Sequence, residues 1–349
     1  MDPLPKTMKA WVSDRLGTPR TCLTLHTDHP LPSPLPPTST NLLIRISYAA
    51  LNPADVALLS IFPPGLLPFR RTPIPGLDFS GTVVAAGPDA TFSLGTKVCG
   101  TLSVRLVATG HGSLAEYVLV PEGLVAKVPE GLGMREAAGL GVVGQTATVA
   151  MKATDGGLST EKGRRKVLVN GASGGLGSMF VQLAKAEGVR VVGVCSERNA
   201  ELVKGLGADE TIDYQKHAPL PAYLAQTHGE EQFDFIFDCV GDFELYRDSP
   251  AYLKPNGKFI CLSLGSSNGV VPLLKSFLPT FLGGTPRKFT TLNLSPSGDL
   301  MREVVRSYEE GKIKSIPIDS EYSMEDVLDA YDRVISKRSR GKVIIRIGE

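Results

Sequence analysis

Short apolar runs alternate with helix-period segments through the second half of the chain. Residues 166–170 form a β-branched apolar run, and apolar side chains recur at helical spacing from Gly175 onward. Similar apolar runs cover 188–195, 233–241 and 257–265. Strands that alternate with helices predict a parallel sheet covered on both faces, so we expect a doubly wound α/β domain here.

The first half of the chain has a different pattern, with short strand-like runs broken by glycine and proline. These runs are 8–12, 42–48, 76–87, 95–100 and 112–121. They predict a barrel-like β domain with few helices. Residues 341–347 read as a last strand that returns to this domain. We therefore expect one domain from 1–142 with 313–349 and a second from 143–312.

A glycine-dense turn joins the strand at 166–170 to the helix that follows it. Gly174 is expected to let the backbone approach a pyrophosphate, and Gly177 to let the helix pack closely on the sheet. Ala172 stands at the usual first glycine of G-x-G-x-x-G, so the match is imperfect. A strand-to-helix turn without a ligand has a similar pattern, but the surrounding β/α units favour a dinucleotide site.

Composition excludes several other classes of function. Of 349 residues, 42% are apolar and 21% charged, and the formal net charge of +1 gives no broad field for nucleic acid or an anionic membrane. The five cysteines are scattered without a C-x-x-C pair, and the N-terminus lacks the apolar core of a signal peptide. We expect a reduced, cytoplasmic protein that binds neither nucleic acid nor membrane.

Two apolar segments have alternative interpretations. Residues 60–75 are rich in proline and large apolar side chains, which is typical of a lid over a pocket but also of an ordinary loop. Residues 270–281 are consistent with a helix or with a segment that faces a second copy of the chain. Monomer and homodimer therefore both stay open.

Six motifs in a fixed order carry a resemblance to a known family. They are N-P-A-D at 52–55, P-G-L-D-F-S-G at 75–81, G-S-L-A-E-Y at 112–117, the glycine turn at 170–177, F-D-C-V-G at 237–241 and R-G-K-V at 340–343. Together they resemble the medium-chain dehydrogenase/reductase superfamily across essentially the whole chain. The pattern is most similar to its zinc-independent quinone oxidoreductases and enoyl reductases, including the reticulon-interacting type and fungal trans-acting polyketide enoyl reductases. The resemblance implies a GroES-like β-barrel domain plus a Rossmann domain that binds NADPH.

The positions of the zinc ligands differ from those of the zinc alcohol dehydrogenases in the same superfamily. Asn52 stands where the cysteine ligand would be, and Leu77 where the histidine would be. Catalytic zinc needs three protein ligands, and Asp78 alone cannot hold it. His111, between two glycines, reads as a surface residue. We expect no metal, which favours conjugated carbonyls as hydride acceptors.

The end of the second strand indicates which nicotinamide cofactor binds. NAD sites place an acidic residue there, whereas this chain has Cys195 followed by Ser196 and Arg198. A hydroxyl and a guanidinium suit a 2′-phosphate, and the resemblance adds Tyr214 beside the same phosphate. Glu197 opposes this interpretation unless it points to solvent. We expect NADPH as the cofactor.

The resemblance also implies contacts to the rest of the cofactor. The expected cofactor-binding residues are Asn52, Thr146, Ser173, Gly174, Gly175, Leu176, Ser196, Arg198, Tyr214, Val240, Leu264, Gly265 and Lys342. Asn52 is a candidate for orienting the ring or the substrate carbonyl, although an Asn-Pro turn explains it equally well. Tyr48 is a candidate proton donor, with packing and protonation by solvent as alternatives.

These expectations define the function. We expect an NADPH-dependent, zinc-independent oxidoreductase that reduces the activated C=C bond of an α,β-unsaturated carbonyl, in fungal polyketide secondary metabolism if the resemblance extends that far. The substrate class is an enone, a quinone or an acyl thioester. The alternatives are a quinone oxidoreductase and, from another class, a cofactor-binding non-enzymatic protein or a polyketide synthase partner.

Overall fold

The computed structural model describes residues 3–32, 39–61, 73–154, 158, 165–262 and 278–348. Leu264 and Gly265 lie outside these ranges, as do most of 270–281 and residues 62–72 of the predicted loop. The chain divides into two compact units. The first comprises Met1–Gln145, Ser295–Glu309 and Ile316–Glu349, and the second comprises Thr146–Leu294 and Glu310–Ser315.

The regular elements follow the alternation predicted from the sequence. The strands are β1 (Thr7–Ser13), β2 (Leu23–Pro30), β3 (Asn41–Leu51), β4 (Asp78–Ala86), β5 (Lys97–Thr101), β6 (Tyr117–Pro121), β7 (Val125–Lys127), β8 (Lys166–Asn170), β9 (Arg190–Cys195), β10 (Glu210–Asp213), β11 (Phe233–Asp238), β12 (Leu253–Cys261), β13 (Lys288–Thr291), β14 (Ile318–Ser323) and β15 (Lys342–Arg346). The helices are α1 (Pro19–Cys22), α2 (Pro53–Ile61), α3 (Val104–Ala108), α4 (Met134–Ala138), α5 (Gly141–Lys152), α6 (Gly175–Ala186), α7 (Ala200–Gly205), α8 (Leu220–His228), α9 (Phe243–Arg247), α10 (Gly298–Glu309) and α11 (Val327–Ile335).

The first unit is built on a mostly antiparallel sheet in the order β14-β15-β3-β4-β5-β7, with β6 also paired to β3. Strand β3 is central, because one of its neighbours is the late strand β15 and another is β4. Ala50 of β3 lies opposite Asp78 of β4, and Leu51 lies opposite Val343 of β15. This register brings the end of β3, the start of β4 and the start of β15 to one place.

The second unit contains a parallel sheet in the order β10-β9-β8-β11-β12-β13. Every residue of β8 is buried, as expected for a strand covered on both faces. The chain proceeds outward from β8 through β9 to β10, and then crosses to the other side of β8 to form β11. The carboxyl ends of β8 and β11 therefore flank the point where the strand order reverses, which is where doubly wound sheets bind ligands. The predicted doubly wound sheet is confirmed.

The division into units differs from the predicted domain bounds at one helix. Helix α10 packs against β7 and the short 3₁₀ turn Glu122–Leu124, so its contacts belong to the first unit. The predicted bounds of 143–312 assigned it to the second domain. The amphipathic pattern located the helix but carried no information about which sheet its apolar face covers.

In the described part of the chain, no helix is both long enough and apolar enough to cross a membrane.

Candidate functional site

The glycine turn of the second unit uses its glycines for different purposes. Gly171 follows β8 with a φ of +77°, a backbone conformation that favours glycine. A Cβ built on Gly177 would lie 2.2 Å from the Gly171 carbonyl oxygen, so only glycine lets α6 approach the strand this closely. A Cβ on Gly174 would lie 3.4 Å from that oxygen, an ordinary contact. The backbone around Gly174 is thus open to a ligand on one side.

The start of α6 is suited to an anion. Gly174 caps the helix in an extended conformation, and no acidic residue stands in the first turn. The first backbone N–H groups of a helix have no partner within it, and they bind phosphate favourably together with the helix dipole. Ser173 lies beside them and accepts a hydrogen bond from Asn199 Nδ2 at 3.0 Å. Gly175 and Leu176 provide N–H groups of this first turn, so the turn fits a dinucleotide pyrophosphate.

The residues expected at the 2′-phosphate lie along one sheet edge. Cys195 of β9 pairs in register with Asp213 of β10, so the residues that follow both strands leave the sheet side by side. Arg198 is exposed and makes no ion pair with any described residue, and Tyr214 is also exposed. Glu197 is exposed, in agreement with its expected direction toward solvent. The guanidinium is therefore free to meet a phosphate.

A buried carboxylate organises the neighbouring strand end, and the sequence analysis missed it. Asp238 accepts hydrogen bonds from Asn170 Nδ2 at 3.0 Å and from the backbone N–H groups of Val240, Gly241 and Asp242 at 3.0, 3.2 and 2.8 Å. Burial raises the pKa of Asp238 to about 6, although these donors act against the rise. The signal in the sequence was an aspartate at a strand end followed three residues later by a glycine. Val240 lies on this loop and is half exposed.

The remaining cofactor contacts are described only in part. Thr146 lies on α5 and is half-buried. Leu264 and Gly265 lie outside the described residues, and the backbone contacts expected of them stay predictions.

A buried polar cluster in the first unit joins residues that the sequence analysis considered separately. We call Asn52, Asp78 and Lys342 the Lys342 cluster. Lys342 Nζ donates to Asn52 Oδ1 at 2.6 Å, to Asp78 Oδ2 at 3.2 Å and to the Leu51 carbonyl at 3.3 Å. Asn52 Nδ2 donates to Asp78 Oδ2 at 2.9 Å. The lysine side chain is 3% exposed and the aspartate 0%, so this is an ion pair removed from water.

The second oxygen of Asp78 is also fully used. Asp78 Oδ1 accepts from Thr101 Oγ1 at 2.8 Å and from the Val142 N–H at 2.7 Å. A Cβ on Gly141 would lie 2.1 Å from this oxygen, so the start of α5 fits around the carboxylate only as glycine. Leu77, at the position considered for a histidine ligand, is buried in the apolar core. Within the described ranges, no group of three or more His, Cys, Asp or Glu side chains is placed to hold a metal ion.

This geometry affects the roles expected of Asn52 and Lys342. Asn52 is 2% exposed. Its amide nitrogen and its amide oxygen are both hydrogen-bonded inside the cluster. The Lys342 ammonium has three acceptors. A direct contact of Lys342 with a cofactor or substrate would require one of these bonds to break, and Asn52 is buried, so the observed arrangement suits positioning of the backbone around them.

Asp55 is a second residue that the sequence analysis did not single out. It lies in the first turn of α2, is 1% exposed, and accepts through Oδ2 from the Asn52 N–H at 2.7 Å. Its Oδ1 is buried and has no hydrogen-bond partner among the described residues. Burial, and then the nearby Asp78 carboxylate, raise the pKa of Asp55 to about 7. The N-P-A-D motif contained this residue, but a carboxylate three residues after Asn reads first as a helix cap.

Tyr48, the candidate proton donor, is half-buried on β3. Its ring packs against the small apolar cluster of Ala50, Ala138 and Ile344. This packing agrees with the alternative that Tyr48 is a structural residue, and its role as a proton donor stays a prediction.

Family comparisons agree with both halves of this architecture. Residues 38–130 match the family described as alcohol dehydrogenase GroES-like domain, and residues 206–345 match the family described as zinc-binding dehydrogenase. The GroES-like domain and the parallel-sheet nucleotide domain were both expected from the sequence, and the predicted fold class is confirmed.

Individual relatives extend over nearly the whole chain. A protein named medium chain reductase pydE from an Acremonium species is 37% identical, over 99% of this chain and 100% of its own. A trans-enoyl reductase, poxH, of Penicillium oxalicum is 30% identical, over 98% of both chains. The solved structure of a quinone oxidoreductase from Coxiella burnetii superposes with a TM-score of 0.78 at 25% identity, over 98% of this chain and 99% of its own. The chain is an oxidoreductase of the medium-chain dehydrogenase/reductase superfamily and belongs with its reductase members.

The two glycines of the turn should respond differently to alanine. Gly177→Ala places a methyl group against the Gly171 carbonyl and should lower the free energy of unfolding by about 1–3 kcal/mol or more. Gly174→Ala should change stability by less than about 1 kcal/mol, but weaken NADPH binding at least about tenfold, because the methyl group projects where the pyrophosphate approaches. Urea unfolding and fluorescence titration with NADPH measure the two effects. An unchanged NADPH affinity in Gly174→Ala would contradict the pyrophosphate assignment.

The Lys342 cluster should contribute strongly to stability. Lys342→Met keeps the length of the side chain but leaves the Asp78 carboxylate buried without its cation, so the free energy of unfolding should fall by about 3–5 kcal/mol. Lys9→Met is the matched control, because Lys9 pairs with Glu325 at 3.0 Å on the exposed surface of the same unit. The control should lose far less in the same urea titration. If the free energy of unfolding fell equally in the two variants, burial of the Lys342–Asp78 pair would not make it more important for stability than an exposed pair.

Proposed function

We propose that this protein uses NADPH to reduce the activated C=C bond of an α,β-unsaturated carbonyl, with hydride added at the β-carbon. The observation that carries the proposal is the glycine turn at the strand crossover, with its open approach at Gly174. When bound, the nicotinamide cofactor supplies the hydride. Membership of the reductases, and relatives named medium chain reductase and trans-enoyl reductase, support reduction as the direction of the reaction.

The residues of the chain bind and orient the cofactor. The N–H groups at the start of α6 hold the pyrophosphate, and Ser173 lies beside them. Ser196, Arg198 and Tyr214 receive the 2′-phosphate, where the guanidinium pairs with the phosphate oxygens. Two observations support NADPH over NADH. Arg198 is exposed and has no ion pair in the described part of the chain, and β9 ends in Cys195 and not in an acidic residue.

The choice of an enone follows from the Lys342 cluster. At the positions considered for metal ligands, the chain has an amide, a core leucine and a carboxylate already neutralised by the Lys342 ammonium. These groups do not form the ligand set of a catalytic zinc. An enone accepts hydride at its β-carbon with only modest support for the enolate oxygen, which hydrogen-bond donors can give.

Quinone reduction is the second candidate. The similarity to a solved quinone oxidoreductase over almost the whole chain favours it. It uses the same cofactor site and similar hydride delivery, so the two candidates differ in the acceptor. A non-enzymatic role, a polyketide synthase partner, an acyl-thioester substrate, the cytoplasmic location and the choice between monomer and homodimer stay predictions.

Cofactor choice should depend on Arg198. Arg198→Ala removes a charged hydrogen bond to the 2′-phosphate and should weaken NADPH binding by about 1.5–3 kcal/mol, with NADH binding nearly unchanged. Arg190→Ala is the control, because Arg190 is an exposed arginine at the opposite end of β9, where it pairs with Glu210 and Glu231. Titration of each protein with both cofactors measures the effect. Equal weakening of NADPH and NADH by Arg198→Ala would refute the assignment.

The position of the transferred hydride decides the reaction. With deuteride-labelled NADPH and benzylideneacetone, the label should appear on the carbon β to the carbonyl of benzylacetone, as NMR or mass spectrometry of the product would show. Label on the carbonyl carbon, with formation of the allylic alcohol, would mean that the enzyme reduces carbonyls. Rapid NADPH oxidation with menadione, and none with benzylideneacetone or crotonyl coenzyme A, would favour the quinone candidate.

A further inference from the structure

A buried lysine and a buried histidine meet at the amino-terminal edge of the parallel sheet, away from the glycine turn. Lys166 is the first residue of β8, and His228 is the last residue of α8. The Lys166 Nζ atom lies 2.8 Å from His228 Nδ1 and also donates to the Glu231 carbonyl at 3.0 Å. Both side chains are buried, and the ring of Phe233 lies against both of them. The contact thus joins the end of α8 to the start of β8.

This contact determines which form of the imidazole is present. An ammonium has only N–H donors, so His228 Nδ1 is the acceptor and carries no hydrogen. The ordinary pKa of a lysine lies about four units above that of a histidine, which keeps the proton on Lys166. A neutral ring then carries its single hydrogen on Nε2. That atom lies 3.4 Å from Glu210 Oε1 but makes no hydrogen bond among the described residues.

The charges around the ring balance only while the ring is neutral. The groups that face it are two cations and two carboxylates: Lys166 of β8, Arg190 of β9, Glu210 of β10 and Glu231, which follows α8. Arg190 pairs with both carboxylates, at 3.2 Å in each case. Beside them, Lys254 of β12 pairs with Asp234 of β11 at 2.8 Å. A proton on His228 would therefore add a buried charge without a counterion of its own, which is costly.

We propose that the contact between Lys166 and His228 is an acid-sensitive latch, closed while the ring is neutral and opened when Nδ1 takes up a proton from the solvent. The new N–H group and the ammonium are then two donors that face each other across 2.8 Å. The hydrogen bond from Lys166 is lost, and the end of α8 is released from β8. The inference goes beyond the proposed function, because it does not depend on the reaction.

The latch should weaken on acidification. Burial, and then the charge of Lys166, lower the pKa of His228 below its ordinary value, whereas Glu210 acts in the opposite direction. In an unfolded segment the ring titrates at about 6.5. The latch therefore contributes fully to stability above about pH 6.5, and this contribution is lost as the pH falls toward the lower pKa of the folded protein. Because one proton is taken up on opening, the opening equilibrium changes by at most about tenfold for each pH unit.

Nitrogen NMR of protein with isotope-labelled histidine tests the closed state directly, with the His228 signal assigned from the backbone of α8. At neutral pH the wild type should show the neutral ring with its hydrogen on Nε2. Lys166→Met removes the donor and its charge but keeps a side chain of similar length, so the pKa of His228 should rise above its value in the wild type. A hydrogen on Nδ1 in the wild type would overturn the proposal, and so would a pKa that does not rise in Lys166→Met.

Hydrogen exchange in peptides from α8 and β8, followed by mass spectrometry, tests the opening. After correction for the chemical exchange rate, protection in the wild type should fall by up to about tenfold for each pH unit below about pH 6.5. His228→Asn keeps an acceptor near the Nδ1 position but cannot take up a proton, so this dependence should disappear. His217→Asn is the matched control and should keep it, because His217 is a half-buried histidine of the same unit that stacks on Tyr223. The wild-type dependence in His228→Asn, or its loss in His217→Asn, would refute the latch.

Discussion

The first unit depends on the removal of one ion pair from water. Separate ionised groups are costly to bury, and the Lys342 ammonium and the Asp78 carboxylate are tolerated because nearly all of their hydrogen-bonding capacity is used. The contacts come from β3, β4, β5, β15 and the start of α5. A polar network of this kind has only one arrangement that satisfies its members, so it fixes the register of the strands as well as their proximity.

The second unit reaches its ligand-binding geometry by a different route. Its sheet needs no buried ion pair at the crossover, because glycines at the strand-to-helix turn let backbone atoms approach one another directly. Gly177 is required for the close packing of α6 on the preceding strand, because a Cβ there would clash with the Gly171 carbonyl oxygen. Gly174 leaves space beside the first N–H groups of α6. Asp238 then holds the adjacent loop through three backbone N–H groups. The site is thus formed mainly by backbone atoms. The chemical types of the side chains in the sequence therefore give little information about its geometry.

Sequence patterns predicted the second unit well because its information is local. The centres of β8 and β9 are continuous non-polar runs, and the turn glycines lie within seven residues of one another. Helix α8 was not identified, since its apolar side chains are spread around the helix. The Lys342 cluster was harder to predict, because Asn52 is separated from Asp78 by 26 residues and from Lys342 by 290. Its motifs were visible, but only the antiparallel register shows that they meet, and the unpaired oxygen of Asp55 depends on packing that no local pattern encodes.

The pairing of β3 with β15 has a consequence for the order in which a nascent chain can fold. During synthesis the ribosome completes the whole of the second unit before β15 exists, since the two segments of that unit end at Leu294 and Ser315. Until β15 is added, the end of β3 at Tyr48–Leu51 lacks its neighbour on the edge opposite β4, and the Asp78 carboxylate has no cation. The first unit, although its sequence begins earlier, therefore cannot complete its sheet until its C-terminal strand has been made. The chain of the second unit is complete before that point, so its folding does not depend on the last strand.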